Sequence, residues 1–476
     1  MPEGTPSGRR PVSLLARISV AGILATAILA SGLAFISQPK SAEQAVIRPP
    51  LSTPVLSVRR IPGLLARELA DRRLRSRLDG ALSDPAFGTS ASSSCMSVAS
   101  AGRIIHAARA SLALLPASNL KLLTASALLS RFGPDHRFVT EFRAKSAAVD
   151  GVIDGELWVV GGGDPVLMTS DYAASQRYQP QLLHPVDALA EALTDVGIRE
   201  VRGDFVGDDS RYDQVRYLPT WKPSYRSLGE VGPVGALVID DGFAATGRGW
   251  APSSDPAGHA AGLVAAAAER RGLIVAGSRS GTAPGGLVTV AKAESPPLGE
   301  IVSALLRVSD NNTAEMAVKE LAARDGKPGT TAGGLDEVRT ELAKLGVDLS
   351  DELLADGSGL DRGSRVSCET LGGLLDRAGA TGPIGSGLAV AGRTGTLADR
   401  FLGTPAEGRL RAKTGALSGV ISLSGWIDPA AGPSLRFAMI VNGLPGESAG
   451  RILQERVGLA LAAYPEAPPT ETLGPR

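Results

Sequence analysis

Residues that commonly bind metals are scarce in this chain. It has two cysteines and four histidines among 476 residues, and the histidines are scattered along the sequence. Neither residue type shows the spacing of a metal site, so we expect no metal and no other cofactor. Each isolated histidine is expected to be structural or solvated.

The chain also lacks an excess of charge of either sign. Lys and Arg together number 49, as do Asp and Glu, and no long basic run lies outside the amino terminus. Electrostatic binding to nucleic acid therefore has no support, and small molecules or neutral polymers are the expected partners. With 43% hydrophobic residues, the chain is long enough to bury the cores of about three average domains.

Residues 18–36 carry no charge and follow three arginines in the first 17 residues. This pattern predicts a cytoplasmic basic segment at 1–17, a transmembrane helix at 18–36 and a Pro-rich linker at 37–62. A cleaved signal peptide is the first alternative and a buried core helix the second. The expected location is the cell membrane, single-pass with an extracytoplasmic catalytic part, or outside the cell if the segment is cleaved.

The two cysteines, Cys95 and Cys368, form an even number in a chain predicted to be exported. One disulfide closing a long loop and two unpaired buried thiols are both open interpretations at this point.

Three short motifs carry the functional signal. They are Ser118-Asn119-Leu120-Lys121, Ser309-Asp310-Asn311 and Lys413-Thr414-Gly415, in that order. One Ser-x-x-Lys match is expected about once by chance at this length, and a second one does occur at Ser37. The conjunction of all three motifs is what indicates a function.

Periodicity places the first two motifs on helices and the third on a strand. The pattern after Ser118 predicts an amphipathic helix about four turns long, with a β-hairpin over 95–107 before it. Further helices are predicted at 298–308, 314–323, 338–345, 369–378 and 449–464, and strands at 420–427 and 435–441. A mixed block over 138–288 separates the first two motifs, with strands at 156–160 and 237–239 and a helix at 257–271.

The residue types suit acyl transfer through a serine. Lys121 lies three positions after Ser118 on one helix face and could take its proton, provided that burial and a second cation, Lys413, keep it neutral. Ser309 would relay a proton to the leaving group, and the Asn311 amide would bind the substrate backbone. On the third motif, Lys413 and Thr414 would bind a terminal carboxylate, while Gly415 would allow close approach of the substrate.

These motifs resemble those of the penicillin-recognising serine enzymes. More narrowly, the chain is similar to the D-alanyl-D-alanine carboxypeptidase/endopeptidase family of low-molecular-mass class C penicillin-binding proteins. The narrower resemblance rests on the strings Pro116-Ala117-Ser118-Asn119-Leu120-Lys121, Gly163-Asp164-Pro165, Asp356-Gly357-Ser358-Gly359-Leu360, Gly395-Thr396-Leu397 and Ala412-Lys413-Thr414-Gly415.

The resemblance implies a fold of the α/β (α+β) class. A penicillin-binding-protein/β-lactamase-like transpeptidase domain, an antiparallel sheet flanked by helices, is expected to be split by an inserted mixed domain. The expected boundaries are 63–145 and 290–465 for the catalytic domain, 146–289 for the insertion and 466–476 for a disordered tail.

The resemblance also implies an activity. The chain is expected to be a serine D-Ala-D-Ala carboxypeptidase, with DD-endopeptidase activity as an addition, that acts on peptidoglycan stem peptides through an acyl-enzyme on Ser118. β-Lactams are the expected inhibitors. The backbone N–H groups of Ser118 and Ala416 would form the oxyanion hole, and Arg362 and Asp208 would contact the stem peptide.

Two departures from the family pattern keep other functions open. Ala416 stands where a hydroxyl residue is usual, and the insertion is shorter than in the longer relatives, so that one inserted domain is expected. A catalytically weak cell-wall-binding or scaffold protein is therefore the alternative. A β-lactamase is a further alternative, which is disfavoured because the insertion is still large.

Overall fold

The computed structural model of the protein describes residues 61–87, 93–246, 249–323 and 327–473. The predicted basic segment, the predicted transmembrane helix and all but the end of the predicted linker lie outside these residues. Among the described helices, none is both long and apolar enough to cross a membrane.

Six antiparallel strands form the first sheet: β1 (Ser94–Ser100), β2 (Arg103–Ala108), β13 (Ala389–Val390), β14 (Leu410–Leu417), β15 (Val420–Ile427) and β16 (Leu435–Asn442). Their order across the sheet is β13-β14-β15-β16-β1-β2. Because β1 pairs with β16, the beginning and the end of the catalytic part meet in one sheet. This confirms the predicted antiparallel sheet.

Helices cover both faces of this sheet. They are α1 (Ile61–Leu82), α2 (Lys121–Phe132), α7 (Leu298–Val308), α8 (Asn311–Ala322), α9 (Thr331–Lys344), α10 (Cys368–Ala378), the short α11 (Pro383–Gly387) and α12 (Glu447–Ala462).

Successive residues of a strand point to opposite faces of this sheet. On β16, Ala438 and Ile440 join the core under α2 and α7 to α10, whereas Phe437 and Met439 join the core under α1 and α12. Side chains alternate along a strand, so a strand covered on both faces is expected to be mostly apolar. This explains the composition from which β15 and β16 were predicted. The buried polar exceptions in these two strands are Ser422, Ser424 and Arg436.

A disulfide links the sheet to a covering helix. Cys95 on β1 is bonded to Cys368, the first residue of α10, and both are fully buried. Of the two interpretations left open by the sequence, the structure selects the disulfide.

The inserted part has a mixed sheet in the order β11-β8-β5-β3-β12, with β4 also paired to β8. Its elements are β3 (Val139–Ala144), β4 (Val152–Ile153), β5 (Leu157–Val160), β6 (Leu167–Met168), α3 (Ser170–Ser175), β7 (His184–Pro185), α4 (Val186–Asp195), β8 (Glu200–Asp208), α5 (Pro223–Ser227), β9 (Phe243–Thr246), β10 (Gly249–Pro252), α6 (Pro256–Arg270), β11 (Ile274–Ser280) and β12 (Val288–Glu294). Helices α4 and α6 pack on this sheet around a separate apolar core.

Several expected boundaries differ from the structure. The insertion begins before β3 rather than at 146 and ends after β12 rather than at 289, because these two strands pair with each other in its sheet. The strand expected at 237–239 is buried but lies in no sheet. The tail expected to be disordered from 466 instead places Glu466 against α1, in an ion pair with Arg77, and has a 3-10 turn at Thr470–Thr472.

Candidate active site

Ser118 lies in a tight turn rather than in the predicted α-helix. A 3-10 turn spans Ala117–Leu120, and α2 begins only at Lys121. Ala117 has a φ of 47°, in the left-handed region that costs energy for a residue with a β-carbon. The following side chain, Asn119, is fully buried and donates to the Lys413 carbonyl at 3.2 Å, which fixes the turn against β14.

Lys121 is fully buried and its amine lies within hydrogen-bonding distance of three groups. These are Ser118 Oγ at 3.1 Å, Asn311 Oδ1 at 2.6 Å and the Ser358 carbonyl at 2.7 Å. Burial lowers the pKa of Lys121 to about 8, against the opposing effect of nearby carboxylates, of which Asp356 is the strongest. A neutral amine near physiological pH can accept the serine proton.

The second motif lies at the junction of two helices. Ser309 ends α7 in the left-handed conformation, with a φ of 66°, and Asp310 caps the start of α8 by accepting from the Thr313 N–H at 2.5 Å. This sharp junction places Asn311 against Lys121 of the first motif and Ser309 against Lys413 of the third.

The Asn311 amide lines the cleft and is held by one contact at each of its polar atoms. Its oxygen faces Lys121, and its Nδ2 donates to the Glu230 carbonyl of the insertion at 2.6 Å. The insertion therefore holds the second motif in place.

The third motif is the central part of β14. Lys413 Nζ lies 2.7 Å from Ser309 Oγ and 2.7 Å from the Thr414 carbonyl. Burial, and secondarily the charge of Lys121, hold the pKa of Lys413 well below its usual range. Thr414 Oγ1 donates to Thr396 Oγ1 at 2.8 Å, which involves the Gly-Thr-Leu string noted in the sequence.

The edge of β14 is open where it borders the site. Strand β13 pairs only with Arg411 and Ala412, so among the named strands none covers the edge beyond Lys413. Gly415 also lies close to the nucleophile turn, since a Cβ added there would come 2.2 Å from Ser422 Oγ and 3.1 Å from the Ser118 N. A side chain at 415 would push into that turn.

A cleft of about 580 Å³ opens onto these groups. It is lined by Ser118, Ser309, Asn311, Thr414, Gly415 and Ala416 together with charged residues of both signs, Arg177, Lys222, Glu230, Asp399, Arg400, Glu447 and Arg451. Lys121 and Lys413 lie behind its wall. The structure thus brings together the residues of all three motifs.

Neither of the two predicted stem-peptide contacts lines the cleft, but Arg362 is hydrogen-bonded to a residue that does. Arg362 is exposed and donates to the carbonyl of Ser418, which lines the cleft. Asp208 instead ends β8, where its carboxylate accepts from the Ser210 and Ala283 N–H groups, each at 2.8 Å. Its oxygens are occupied by backbone and it does not line the cleft, so Asp208 is not where the prediction needs it.

Sequence reasoning did not assign roles to Asn119, Glu315, Asp356 and Ser358. Glu315 accepts from the Gly357 and Ser358 N–H groups at 3.0 and 2.7 Å, and Asp356 accepts from the Gly359 and Asp361 N–H groups. The Asp356-to-Leu360 string was visible as part of the resemblance. The sequence indicated Glu315 less clearly than that string. The only indication was that Glu315 lies four positions after Asn311, on the same side of a helix.

Comparison with known proteins gives consistent matches. The model of the D-Ala-D-Ala carboxypeptidase 3 (S13) family matches residues 74–247 and 244–463. A D-alanyl-D-alanine carboxypeptidase of Actinomadura sp. (strain R39) is 31% identical over 471 residues, covering 82% of this chain and 85% of the relative. Carboxypeptidase DacB of Mycolicibacterium smegmatis is 29% identical over 438 residues, covering 88% of this chain and 90% of the relative.

A solved structure shares the fold. Penicillin binding protein 4 (dacB) of Haemophilus influenzae superposes with a TM-score of 0.64 over 76% of this chain and 94% of that one, at 21% identity. The same protein complexed with a β-lactam superposes with a TM-score of 0.57.

Proposed function

We propose that this chain, which belongs to the D-Ala-D-Ala carboxypeptidase 3 (S13) family and is a carboxypeptidase, binds penicillin and works by acyl transfer through Ser118. One observation carries the mechanism: the Ser118 hydroxyl lies 3.1 Å from the buried amine of Lys121, at the wall of the cleft. A nucleophile within reach of a base of lowered pKa is the arrangement that serine acylation requires.

In the first step, Ser118 Oγ attacks the carbonyl carbon of the D-Ala-D-Ala bond and its proton passes to Lys121 Nζ. The oxygen of the carbonyl becomes negative and lies toward the Ser118 and Ala416 N–H groups, which act as the oxyanion hole. When the C–N bond breaks, the leaving amine takes the proton that Lys121 gained, relayed through the Ser309 hydroxyl, which also contacts Lys413, and Lys121 becomes neutral again. Lys121 then accepts a proton from the water that attacks the ester carbonyl, and Ser118 Oγ takes that proton as the ester C–O bond breaks and the product acid is released.

The third motif binds the terminal carboxylate in this proposal. Thr414 faces the cleft at the open edge of β14, where an extended peptide can lie alongside as an added strand. Lys413, behind the wall of the cleft, holds the Ser309 hydroxyl beside the bound peptide. Arg362, which donates to the carbonyl of the cleft residue Ser418, would contact the stem peptide in this proposal.

The substrates would be peptidoglycan stem peptides, and cleavage of cross-links between stems would follow the same path. β-Lactams would acylate Ser118 because their strained amide and carboxylate imitate the substrate. No cofactor takes part in any step. For location we propose an exported protein, tethered to the membrane through residues 18–36 or released if they are cleaved; fractionation that found it in the cytoplasm would overturn this.

A labelled penicillin tests the mechanism. The wild-type protein should acquire a covalent label that mass spectrometry places on the peptide with Ser118, and Ser118→Ala should acquire none. Ser130→Ala, on the same helix as Lys121 but outside the cleft, is the matched control and should label like wild type. Absence of label on the folded wild type would favour the scaffold alternative, suggested by Ala416, and rapid loss of label would favour a β-lactamase.

A further inference from the structure

The hydrogen-bond capacity of Lys121 determines where its lone pair points. A protonated lysine has three N–H donors, and three acceptors surround Nζ. The neutral amine keeps only two N–H donors. If these go to Asn311 Oδ1 and the Ser358 carbonyl, both closer than Ser118, the lone pair is left facing Ser118 Oγ. The two acceptors therefore orient the lone pair of Lys121 toward Ser118.

Of these two acceptors, the Ser358 carbonyl belongs to a loop and needs support to stay in place. The support comes from Glu315, one oxygen of which accepts from the N–H groups of both Gly357 and Ser358. The Gly357 carbonyl accepts from Thr124 Oγ1 at 2.8 Å. The loop segment is thus held from opposite sides, by α8 through Glu315 and by α2 through Thr124.

Glu315 and Asn311 lie four residues apart on α8, so they face the same direction. Asn311 reaches Lys121 directly, whereas Glu315 reaches it through Ser358. Both supports of the base therefore move as one rigid helix. Glu315 is 1% exposed and does not line the cleft, so it has no access to substrate.

The second carboxyl oxygen of Glu315 is buried and finds no hydrogen-bond partner among the described residues. Burial, with a smaller effect from Asp356, raises the pKa of Glu315 to about 8. Protonation at the free oxygen would leave the two bonds to Gly357 and Ser358 intact, so the support does not depend on the charge of the carboxyl.

We infer that Glu315 is a positioning residue: by holding the Ser358 carbonyl against Lys121 it directs the base toward Ser118. The inference rests on the proposed acylation of Ser118. It assigns Glu315 an effect on the chemical step and none on substrate binding.

Three variants of Glu315 test this with a chromogenic penicillin, by measuring the acylation rate constant and the dissociation constant of the complex before acylation. Glu315→Met keeps the length of the side chain but removes the acceptor. Its acylation should slow by about 10-fold to 100-fold, the range expected for a small misplacement of a reacting group, with the dissociation constant unchanged. Glu315→Gln keeps one acceptor oxygen and should restore the rate to within about threefold of wild type.

Glu341→Gln is the matched control, because Glu341 is equally buried but binds Ser130 and Lys344 outside the site. It should acylate like wild type. If Glu315→Met does not fold, Glu315→Asp takes its place as the test of the inference. Its side chain is one carbon shorter, so the carboxylate keeps its charge but no longer reaches the loop, and acylation should also be slow.

A wild-type rate in a folded Glu315→Met, or in Glu315→Asp where it decides, would overturn the inference. So would a Gln variant as slow as the Met variant, or a change confined to the dissociation constant. If wild type is labelled on Ser118 and Lys121→Ala is slow, these outcomes reject the inference alone. If wild type is not labelled, the proposed function itself has failed.

Discussion

The amine of Lys121 lies 3.1 Å from Ser118 Oγ although the two residues belong to different local structures, a 3-10 turn and the helix that follows it. The turn brings the hydroxyl over the first residue of the helix. Lys121 itself is fully enclosed by protein, so its proton affinity is set by the fold.

Removing the amine should stop acylation without unfolding the protein. We expect Lys121→Ala to lower the rate of penicillin acylation by about 100-fold to 10,000-fold, the usual contribution of a general base. Stopped-flow measurement gives the rate, and circular dichroism checks the fold. Lys344→Ala, which changes a half-exposed lysine on α9, is the control. A folded Lys121→Ala with a near wild-type rate would remove Lys121 from the role of base.

The rate of acylation should rise with pH through about 8, the value to which burial lowers the pKa of Lys121. Only the neutral amine accepts a proton, so the rate should fall about tenfold for each pH unit below the pKa and level off above it. The measurement is the second-order rate constant from pH 6 to 10, corrected for spontaneous hydrolysis of the β-lactam. A profile without pH dependence, or a midpoint near the 10.5 of free lysine, would contradict this prediction.

Restoring a hydroxyl after the third motif should improve the enzyme. Ala416 is exposed in the cleft two residues after Thr414, so both side chains lie on the same face of β14. Ala416→Ser should raise kcat/KM for a peptide ending in D-Ala-D-Ala by about tenfold, the value of one hydrogen bond to a charged group. A peptide with an amidated terminus should show no such gain. Equal gains on both peptides would mean that the hydroxyl does not contact the carboxylate.

A methyl group at position 415 should disturb the nucleophile turn. The added Cβ of Gly415→Ala would lie 2.2 Å from Ser422 Oγ, whose hydroxyl donates to the Pro116 carbonyl at 2.6 Å. Overpacking of this kind costs about 1–3 kcal/mol of unfolding free energy, and we expect slower acylation as well. Gly285→Ala, where a Cβ meets nothing within 4 Å, should stay within about 0.5 kcal/mol of wild type. Urea unfolding compares the two, and equal stability would show that the turn adapts.

Loss of the disulfide should destabilise the catalytic part. Cys95 and Cys368 are 273 positions apart, so their bond restricts a long loop of the unfolded chain. We expect the double variant Cys95→Ala/Cys368→Ala to lose about 2–5 kcal/mol of unfolding free energy. Thiol titration of denatured, unreduced wild type should find no free thiol. Two free thiols per chain would show that the bond does not form.

Much of the secondary structure was predictable because it follows from local periodicity. Helix α7 has the predicted bounds because its apolar residues recur with the period of a helix. Strand β15 has the predicted bounds because its residues are mostly apolar and all are buried. The errors fall where tertiary contacts decide. Val139–Ala144 was assigned to the catalytic domain because nothing local shows that its partner strand is β12.

The residues of the candidate site also fall into two groups, those that local sequence predicts and those that depend on tertiary contacts. The three motifs were found from the sequence because their residue types and spacing are chemical requirements. Asp208 was misplaced because an acid near a strand end looks the same in sequence whether it faces a cleft or accepts from backbone N–H groups. Glu315 was missed because its partners, Gly357 and Ser358, are more than 40 positions away.

By itself, then, the sequence determined which chemical groups the protein has and their order along the chain: a hydroxyl and an amine one helical turn apart, a second hydroxyl with an amide, and a Lys-Thr-Gly strand. Only the tertiary structure decided that Lys121 is buried, that the Ser358 carbonyl faces it, and that the two cysteines are bonded. The physical reason is that spacing along a chain controls contacts within one turn or strand. Desolvation and the direction of a hydrogen bond depend instead on segments that meet only when the chain folds.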